Sequence, residues 1–188
     1  MRIILDFDDT LFDRDGFMRD LARVMGVEYN QFLDSYSRNF KQQHKFYCPY
    51  QHLRILYSEA EIRGKMDAME DFLQDLSDFV YPGGREFLQV ASANTEELIL
   101  LSWGDPDFQH IKIKNCKLQD FFDKIITTEN KIEVLQDWGT EPFIFINDKQ
   151  EENQEIEKRF PQGRVYLVGE DGYTLKQIMT LWEQEWKQ

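Results

Sequence analysis

The chain has 188 residues, of which 41% are hydrophobic and 14% aromatic, and its 22 basic and 35 acidic residues leave a formal net charge of −13. This length predicts one domain, or one core domain with a small insertion, and the apolar content excludes a disordered chain. A strongly negative field repels phosphate backbones, so we expect neither nucleic acid nor an anionic membrane as a partner. A small anionic ligand stays compatible with this charge, because a bound metal ion can reverse the local field.

Cysteine content and hydropathy favour a cytoplasmic location. Cys48 and Cys116 are the only cysteines, which is too few for a disulfide framework and fits a reducing compartment. No apolar run approaches the ~18–20 residues that cross a bilayer. Because the sequence opens on a short apolar strand rather than on a basic leader, we expect a soluble protein without a signal peptide. The oligomeric state stays open.

Short apolar runs alternate with segments of helical periodicity along most of the chain. The first run, residues 3–7, is apolar except for Asp6 and is followed by acidic residues, which is typical of a strand buried on both faces of a parallel sheet. Later runs, each ending at polar or glycine residues, are 98–101, 125–126, 143–146 and 165–168. The helical segments between and after them are 85–90, 105–117, 129–138, 150–160 and 174–186. This alternation predicts an α/β fold with a Rossmann-like parallel sheet flanked by helices.

Residues 14–80 depart from this alternation. They contain no convincing strand, and their apolar residues recur at helical spacing. Four helices are predicted, around Leu21, Val24 and Met25; around Phe32, Tyr36 and Phe40; around Leu53, Leu56 and Tyr57; and around Ile62, Met66, Met69, Phe72, Leu73 and Leu76. We therefore predict a Rossmann-like core of residues 1–13 and 81–188, and a small all-helical cap of residues 14–80 inserted after the first strand.

Carboxylates follow the first strand directly. Side chains alternate along a strand, so Asp6 and Asp8 are expected to point one way and Phe7 the other. Charges at the mouth of an apolar strand cost desolvation unless something cationic holds them. The carboxyl end of a parallel strand is also where open α/β sheets bind ligands. The alternative for an isolated Asp-x-Asp is an ordinary strand end and turn.

The hexapeptide that begins at Asp6 (Asp-Phe-Asp-Asp-Thr-Leu) resembles the first motif of the haloacid dehalogenase superfamily of hydrolases. Segments similar to the other three motifs follow in the same order. They are an apolar strand ending in Ser102, then Lys131 after the third strand, then Asp148 with Glu152 after the fourth. The resemblance covers residues 1–13 and 81–168, and residues 14–80 resemble the family's helical cap in position and class only. Alternatives for the third-motif lysine are Lys112, Lys124 and Lys149.

The resemblance implies a Mg²⁺-dependent phosphatase that acts on a small phosphorylated metabolite, such as a sugar phosphate or a nucleotide. It makes Asp6 the nucleophile that forms an aspartyl-phosphate, Asp8 the general acid and base, and Lys131 the third catalytic residue. The implied phosphate ligands are Ser102, Trp103 and Thr10. The implied metal ligands are Asp6, Asp8 through its main-chain carbonyl, Asp148 and Glu152.

The sequence departs from the family's pattern at three motifs. Asn147 precedes Asp148 where Gly or Asp is commoner, and Glu152 replaces the more usual Asp, so Glu152 either acts through water or only orients Lys131. Trp103 is bulky and is expected to narrow or roof the pocket, and no Pro follows the motif lysine. A phosphomutase, which would use the same motifs, and a non-catalytic phosphate-binding or metal-binding module are the alternative functions.

A second group of potential metal ligands lies in the inserted segment. His44, Cys48 and His52 recur at four-residue spacing, but Pro49 would break a helix that carried all three. We therefore expect surface or packing roles for them. The basic and aromatic residues of this segment are candidates for substrate contacts, against the alternative of a plain helix junction: Lys41, His44, Lys45, Phe46, Tyr47, Tyr50 and Arg54.

Overall fold

The computed structural model describes residues 1–169 and 171–185, so the predicted helical residue Trp186 lies outside the described part. The chain forms two compact units. The first, called the core unit, contains Met1–Asp13, Val80–Trp103 and Leu118–Gln188, and the second, called the helical unit, contains Arg14–Phe79 and Gly104–Lys117. None of the described helices combines the length and apolarity that crossing a membrane requires.

The core unit contains a five-stranded, all-parallel sheet with the strand order β3-β2-β1-β4-β5. The strands are β1 (Arg2–Leu5), β2 (Glu97–Ser102), β3 (Lys124–Thr127), β4 (Phe143–Asn147) and β5 (Gly163–Leu167). The predicted parallel sheet is confirmed, and each of the five apolar runs forms a strand with small shifts at its ends. Strand β1 is central, since Ile3 lies opposite both Leu98 and Ile144.

Helices cover the sheet of the core unit. They are α5 (Gly84–Asn94), α7 (Lys131–Asp137), α8 (Gln150–Arg159) and α9 (Leu175–Glu185). Ile4 of β1 belongs to one buried apolar cluster with Leu135 of α7 and Ile156 of α8. Helices α5 and α9 contact each other, and the rings of Phe87 and Trp182 lie 5.0 Å apart. Because successive strand residues face opposite ways and residues 3–5 are all fully buried, both faces of β1 are covered.

The helical unit contains the four predicted helices and a fifth. They are α1 (Arg14–Met25), α2 (Tyr29–Asn39), α3 (Pro49–Leu56), α4 (Glu59–Leu73) and α6 (Pro106–Asn115). Helix α6 follows β2 in sequence, yet it packs against α4, and the Asn115 amide donates a hydrogen bond of 2.6 Å to the carbonyl of Leu73. The unit therefore extends beyond a single inserted segment, and its role as a cap stays a prediction.

An aromatic cluster around His52 fills the interior of the helical unit. The His52 imidazole is fully buried, its ring centre lies 4.6 Å from that of Phe32, and its Nδ1 lies 3.2 Å from the Tyr47 hydroxyl. Pro49 is the first residue of α3, where its missing N–H costs nothing, while His44 lies outside that helix with φ of 51°. Within the described residues, no group of three or more His, Cys, Asp or Glu side chains is arranged to hold a metal ion. The packing role expected for His52 is confirmed.

Candidate active site

The carboxyl ends of neighbouring strands bring most of the predicted site residues to one edge of the core unit's sheet. Asp6 follows β1, Ser102 ends β2 and Asp148 follows β4, and these three strands are adjacent. The Asp6 N–H donates to the carbonyl of Ile146 at 2.9 Å, which extends the β1–β4 pairing by one residue. The side chains of Asp6 and Ser102 are both almost fully buried. Their burial is therefore set by the central position of β1 and β2.

A tight loop shapes the chain after Asp6. The Phe7 carbonyl accepts hydrogen bonds from the N–H groups of Leu11 (2.9 Å) and Phe12 (3.0 Å), and the Asp9 N–H donates to the Phe12 carbonyl at 2.8 Å. Asp9 has φ of 60°, a left-handed conformation that Asp tolerates better than most residues. This turn buries Thr10 and leaves Asp8 half-buried, so the loop holds both near the carboxyl end of β1.

Lys131 pairs directly with the predicted nucleophile. It is the first residue of α7 and is buried, with its Nζ 3.1 Å from Asp6 Oδ1 and 2.9 Å from Glu152 Oε2. Burial alone lowers the pKa of Lys131, but the charges of Asp6 and Glu152 outweigh burial and raise it. Lys131 therefore stays an ammonium at neutral pH. Lys124, one of the alternatives, pairs instead with Glu97 at 2.5 Å.

The carboxylates at this edge are short of positive charge. Burial raises the pKa of Asp6, and the Lys131 ammonium opposes only part of that shift. Burial, and next the negative charge of Asp6, raise the pKa of Asp148 to about 6. The Asp148 Oδ1 atom is buried and accepts no hydrogen bond from the described residues. The buried Lys131 ammonium thus pairs with Asp6 and Glu152, whereas the positive charge that acts on Asp148 is that of Lys149.

This donor set fits a divalent cation such as Mg²⁺. Mg²⁺ is bound through one or two carboxylates and keeps several water ligands, and Asp148 offers a buried oxygen that lacks a partner. A cavity of about 350 Å³ lies against Asp148 and Asp9, which leaves room for water or a small ligand. The four predicted metal ligands do not form one cluster of side chains in the described residues. A cation here would therefore rely on Asp6, Asp148, main-chain oxygen and water.

Two hydroxyl groups beside the carboxylates also lack partners. Thr10 Oγ1 and Ser102 Oγ are buried and make no hydrogen bond to any described residue. Buried polar atoms are nearly always paired, and leaving one unpaired costs about 1–3 kcal/mol. These hydroxyls are therefore available as donors to an anionic ligand. Trp103, the next predicted phosphate ligand, is 43% exposed.

Asn147 and Asn153 join the site, although the sequence does not predict them as site residues. The Asn147 Nδ2 donates to Glu152 Oε2 at 2.8 Å and to Asn153 Oδ1 at 3.1 Å. Both asparagines are buried. The one sequence signal is the spacing of Asn153 and Ile156, three residues apart, which puts both on the same face of a helix. That face is identifiable as the buried one only after α8 has been placed against the sheet.

Solved structures share this architecture. A protein from Burkholderia xenovorans LB400, described as a haloacid dehalogenase-like hydrolase, is 22% identical, with a TM-score of 0.68 over 88% of this chain and 80% of that chain. A protein described as a dehalogenase with an intermediate complex is 16% identical, with a TM-score of 0.60 over 92% of this chain and 86% of that one. The hydrolase YfnB from Bacillus subtilis, described as bound to magnesium, is 13% identical, with a TM-score of 0.51 over 79% of each chain.

These likenesses concern the fold. No protein-family model and no curated protein matches the sequence, and the identities to the solved structures are low. The structural likeness nevertheless extends over most of both chains in each comparison. It establishes a common α/β architecture, and the chemistry has to be argued from the side chains of this chain.

Proposed function

Starting from the fold of the haloacid dehalogenase superfamily hydrolases, which this chain shares, we propose that the protein is a Mg²⁺-dependent phosphomonoester hydrolase. The observation that carries the proposal is the buried pair of Lys131 and Asp6 at 3.1 Å, at the same end of the sheet as the unpartnered hydroxyls of Thr10 and Ser102. A carboxylate nucleophile, an ammonium and free hydroxyl donors at one sheet edge match the needs of phosphoryl transfer. The net charge of −13 favours a small phosphorylated metabolite, such as a sugar phosphate or a nucleotide, over nucleic acid.

The proposed reaction has two steps. In the first, a carboxylate oxygen of Asp6 attacks phosphorus, the bond from phosphorus to the ester oxygen breaks, and Asp8 gives its proton to the leaving oxygen. In the second, Asp8 removes a proton from water, the water oxygen attacks the phosphorus of the aspartyl-phosphate, and the bond from phosphorus to the Asp6 oxygen breaks, which frees inorganic phosphate and restores the Asp6 carboxylate. Asp8 suits this exchange because it is half-buried, beside the loop that follows the nucleophile.

The other site residues stabilise the negative charge of the phosphoryl group or would bind the cation. Lys131 holds a proton on Nζ and neutralises the oxygens of the transferred phosphoryl group, while Ser102 and Thr10 donate hydrogen bonds to them. Asp6, Asp148 and the main-chain carbonyl of Asp8 would hold the cation, and the magnesium described for YfnB supports this choice. When bound, the cation offsets the repulsion between the carboxylates and the phosphate.

A dehalogenase is the alternative within the same fold, favoured by the TM-score of 0.60 to a protein described as a dehalogenase. Dehalogenation needs no group to protonate a leaving oxygen, so Asp8 would have no role there.

A phosphomutase would keep all the proposed residues and transfer the phosphoryl group to a second substrate. A non-catalytic binding module would bind phosphate or metal without turnover.

Phosphate release from a panel of sugar phosphates, nucleotides and an aryl phosphate tests the proposal. The assay is run with Mg²⁺, with a chelator, and with the Asp6→Asn variant, and halide release from 2-haloacids is followed in parallel. We expect phosphate release that requires both Mg²⁺ and Asp6. Halide release without phosphate release would instead establish the dehalogenase. No release of either product above the Asp6→Asn background, from folded protein, would favour a mutase or a binding module.

A further inference from the structure

A row of hydrogen bonds leads from helix α8 to the predicted nucleophile. The Asn153 amide is bonded to Asn147, the Asn147 Nδ2 donates to Glu152 Oε2 at 2.8 Å, and Lys131 Nζ lies 2.9 Å from that same oxygen and 3.1 Å from Asp6 Oδ1. Four of these five side chains are almost fully buried, and Glu152 is 26% exposed. The row thus connects the buried Asn153 to the carboxylate of Asp6, the proposed nucleophile.

The two asparagines fix each other's orientation. The Asn153 Nδ2 donates to the main-chain carbonyl of Asn147 at 3.2 Å, and its Oδ1 accepts from the Asn147 Nδ2 at 3.1 Å. The Asn147 Nδ2 therefore faces two side-chain acceptors, Asn153 Oδ1 and Glu152 Oε2, and the Lys149 carbonyl lies 3.5 Å from it. If the Asn147 amide were flipped, its oxygen would meet both acceptors without a proton between them. Only one orientation of this amide is compatible with its neighbours.

Glu152 needs such a partner because part of its side chain reaches solvent. A single oxygen, Oε2, accepts from both Asn147 and Lys131. Without the Asn147 donor, water would compete for that oxygen, and the flexible side chain would gain conformational freedom. The buried Lys131 ammonium would then lose the partner that holds it beside Asp6.

We propose that Asn147 and Asn153 are positioning residues, which hold Glu152 and, through Glu152, the ammonium of Lys131 against Asp6. The inference rests on the proposed function, since it assigns these residues to the alignment of the same catalytic pair. Glu152 serves in this arrangement as the partner of Lys131 rather than as a metal ligand. Lys131 pairs with the carboxylates of Asp6 and Glu152. The asparagines do not contact Lys131 and hold it in place through Glu152.

Steady-state kinetics of Asn153→Ala give the first test. We expect kcat to fall about tenfold while KM changes less than about threefold, because all the groups that contact substrate are retained but Lys131 is no longer held in alignment with Asp6. Ile156→Val is the matched control, since Ile156 lies on the same buried face of α8 and this change also loosens packing. The control is expected to keep kcat within about twofold. Equal kcat losses in the two variants would reduce Asn153 to a packing role and overturn the proposal.

A double-mutant cycle with Glu152→Gln separates positioning from general destabilisation. If Asn153 acts through Glu152, Asn153→Ala should lower kcat less than about threefold in the Glu152→Gln background. A tenfold loss in both backgrounds would show independent roles and contradict the inference.

Competitive acylation of lysines, read by mass spectrometry, tests the positioning without any turnover. In the wild-type protein, Lys131 should react much more slowly than the exposed Lys158 of α8, because Lys131 is buried and paired. Asn153→Ala and Glu152→Gln should each raise the Lys131 rate about tenfold relative to Lys158, and Ile156→Val should not. An unchanged rate of Lys131 acylation in Asn153→Ala would refute the positioning role. A raised acylation rate in this variant, together with no phosphatase activity in the wild-type protein, would refute only the proposed function.

Discussion

The core unit and the helical unit both bury polar side chains, but they differ in what surrounds these groups. In the core unit, the ion pair of Lys131 and Asp6 lies at the same end of the sheet as the unpartnered Asp148 Oδ1. In the helical unit, which also buries Lys112, the imidazole of His52 lies among aromatic rings and beside the Tyr47 hydroxyl, and its Nε2 makes no hydrogen bond to a described residue. Burial lowers the pKa of His52 to about 4, so this centre stays neutral at physiological pH.

The difference teaches which buried polar groups point to a ligand. A neutral, packed imidazole adds to the interior of its unit and leaves no net charge to be compensated. Charged groups at strand ends cost desolvation that folding alone does not repay. The grouping of such charges with unpartnered oxygens at one end of the core unit's sheet is what supports the proposed anion and cation there.

Lys131→Met should give the largest effect, because it leaves the buried Asp6 carboxylate without its ammonium. Removing one partner of a buried ion pair costs about 3–5 kcal/mol of unfolding free energy. Urea denaturation at neutral pH with a chelator present measures the loss. Lys158→Met, at an exposed position of α8, is the control and should change stability by less than about 0.5 kcal/mol. Equal stabilities of the two variants would show that the pair is not energetically coupled.

The His52 centre should instead make the protein sensitive to acid. Its pKa is about 4 in the folded state, lowered by burial, against ~6.5 in an unfolded chain. The stability that neutral His52 provides is therefore fully present above pH ~6.5 and is lost as pH falls towards 4, by about 3 kcal/mol. His52→Phe should flatten the stability profile between these pH values, and the exposed-site control His110→Gln should not. A profile of His52→Phe as steep as that of wild type would be evidence against this explanation.

Asp148→Asn should stabilise the metal-free protein. The raised pKa of Asp148, about 6, means that its contribution to stability is complete below pH ~4 and is lost as pH rises through 6. At pH 8 in chelator, the neutral amide should therefore raise unfolding free energy by about 1 kcal/mol, a value reduced for the partial exposure of this carboxyl. Thermal denaturation should also show that Mg²⁺ raises the wild-type Tm and leaves that of Asp148→Asn unchanged. Equal Mg²⁺ effects on both would remove Asp148 from the metal site.

Tyr47→Phe should give the smallest effect. It removes only the hydroxyl that lies 3.2 Å from His52 Nδ1, so we expect a loss of about 1 kcal/mol measured by urea denaturation. The exposed Tyr173→Phe in the core unit is the control and should change stability less. A loss several times larger for Tyr47→Phe would mean that the helical unit depends on its polar centre as strongly as the core unit does.

Much of the core unit could be predicted from the sequence, for a physical reason. Strands buried on both faces require unbroken apolar runs, so β1, β2 and β4 are visible as runs of Ile, Leu and Phe, and the outer strands β3 and β5 as shorter or mixed runs. Parallel strands that end at one edge then bring the residues after them together, which is why Asp6 and Lys131, 125 positions apart in sequence, lie within 3.1 Å. The chemical roles of these residues stay predictions.

The burial of Asn153 and the packing partners of helix α6 could not be predicted, because they depend on tertiary contacts that no local sequence pattern encodes. Asn153 is one polar residue in a helix rich in Glu and Gln, and only the placement of α8 shows that it is buried. Helix α6 follows a strand of the core unit, but its partners are in the helical unit, as the bond from Asn115 to Leu73 shows. Which helices pack together is decided by contacts between residues that are far apart in the sequence.

The central position of β1 also has a consequence for protein synthesis. Arg2 pairs with Glu97 on one side and with Phe143 on the other, so β1 waits for the synthesis of residues up to β4 before it gains both neighbours. At ribosomal rates of ~5–20 residues per second, this wait is on the order of ten seconds. During that time, the apolar residues 3–5 stay exposed to chaperones and to aggregation. The carboxylate of Asp6, the proposed nucleophile, is therefore translated well before the neighbours that complete its surroundings.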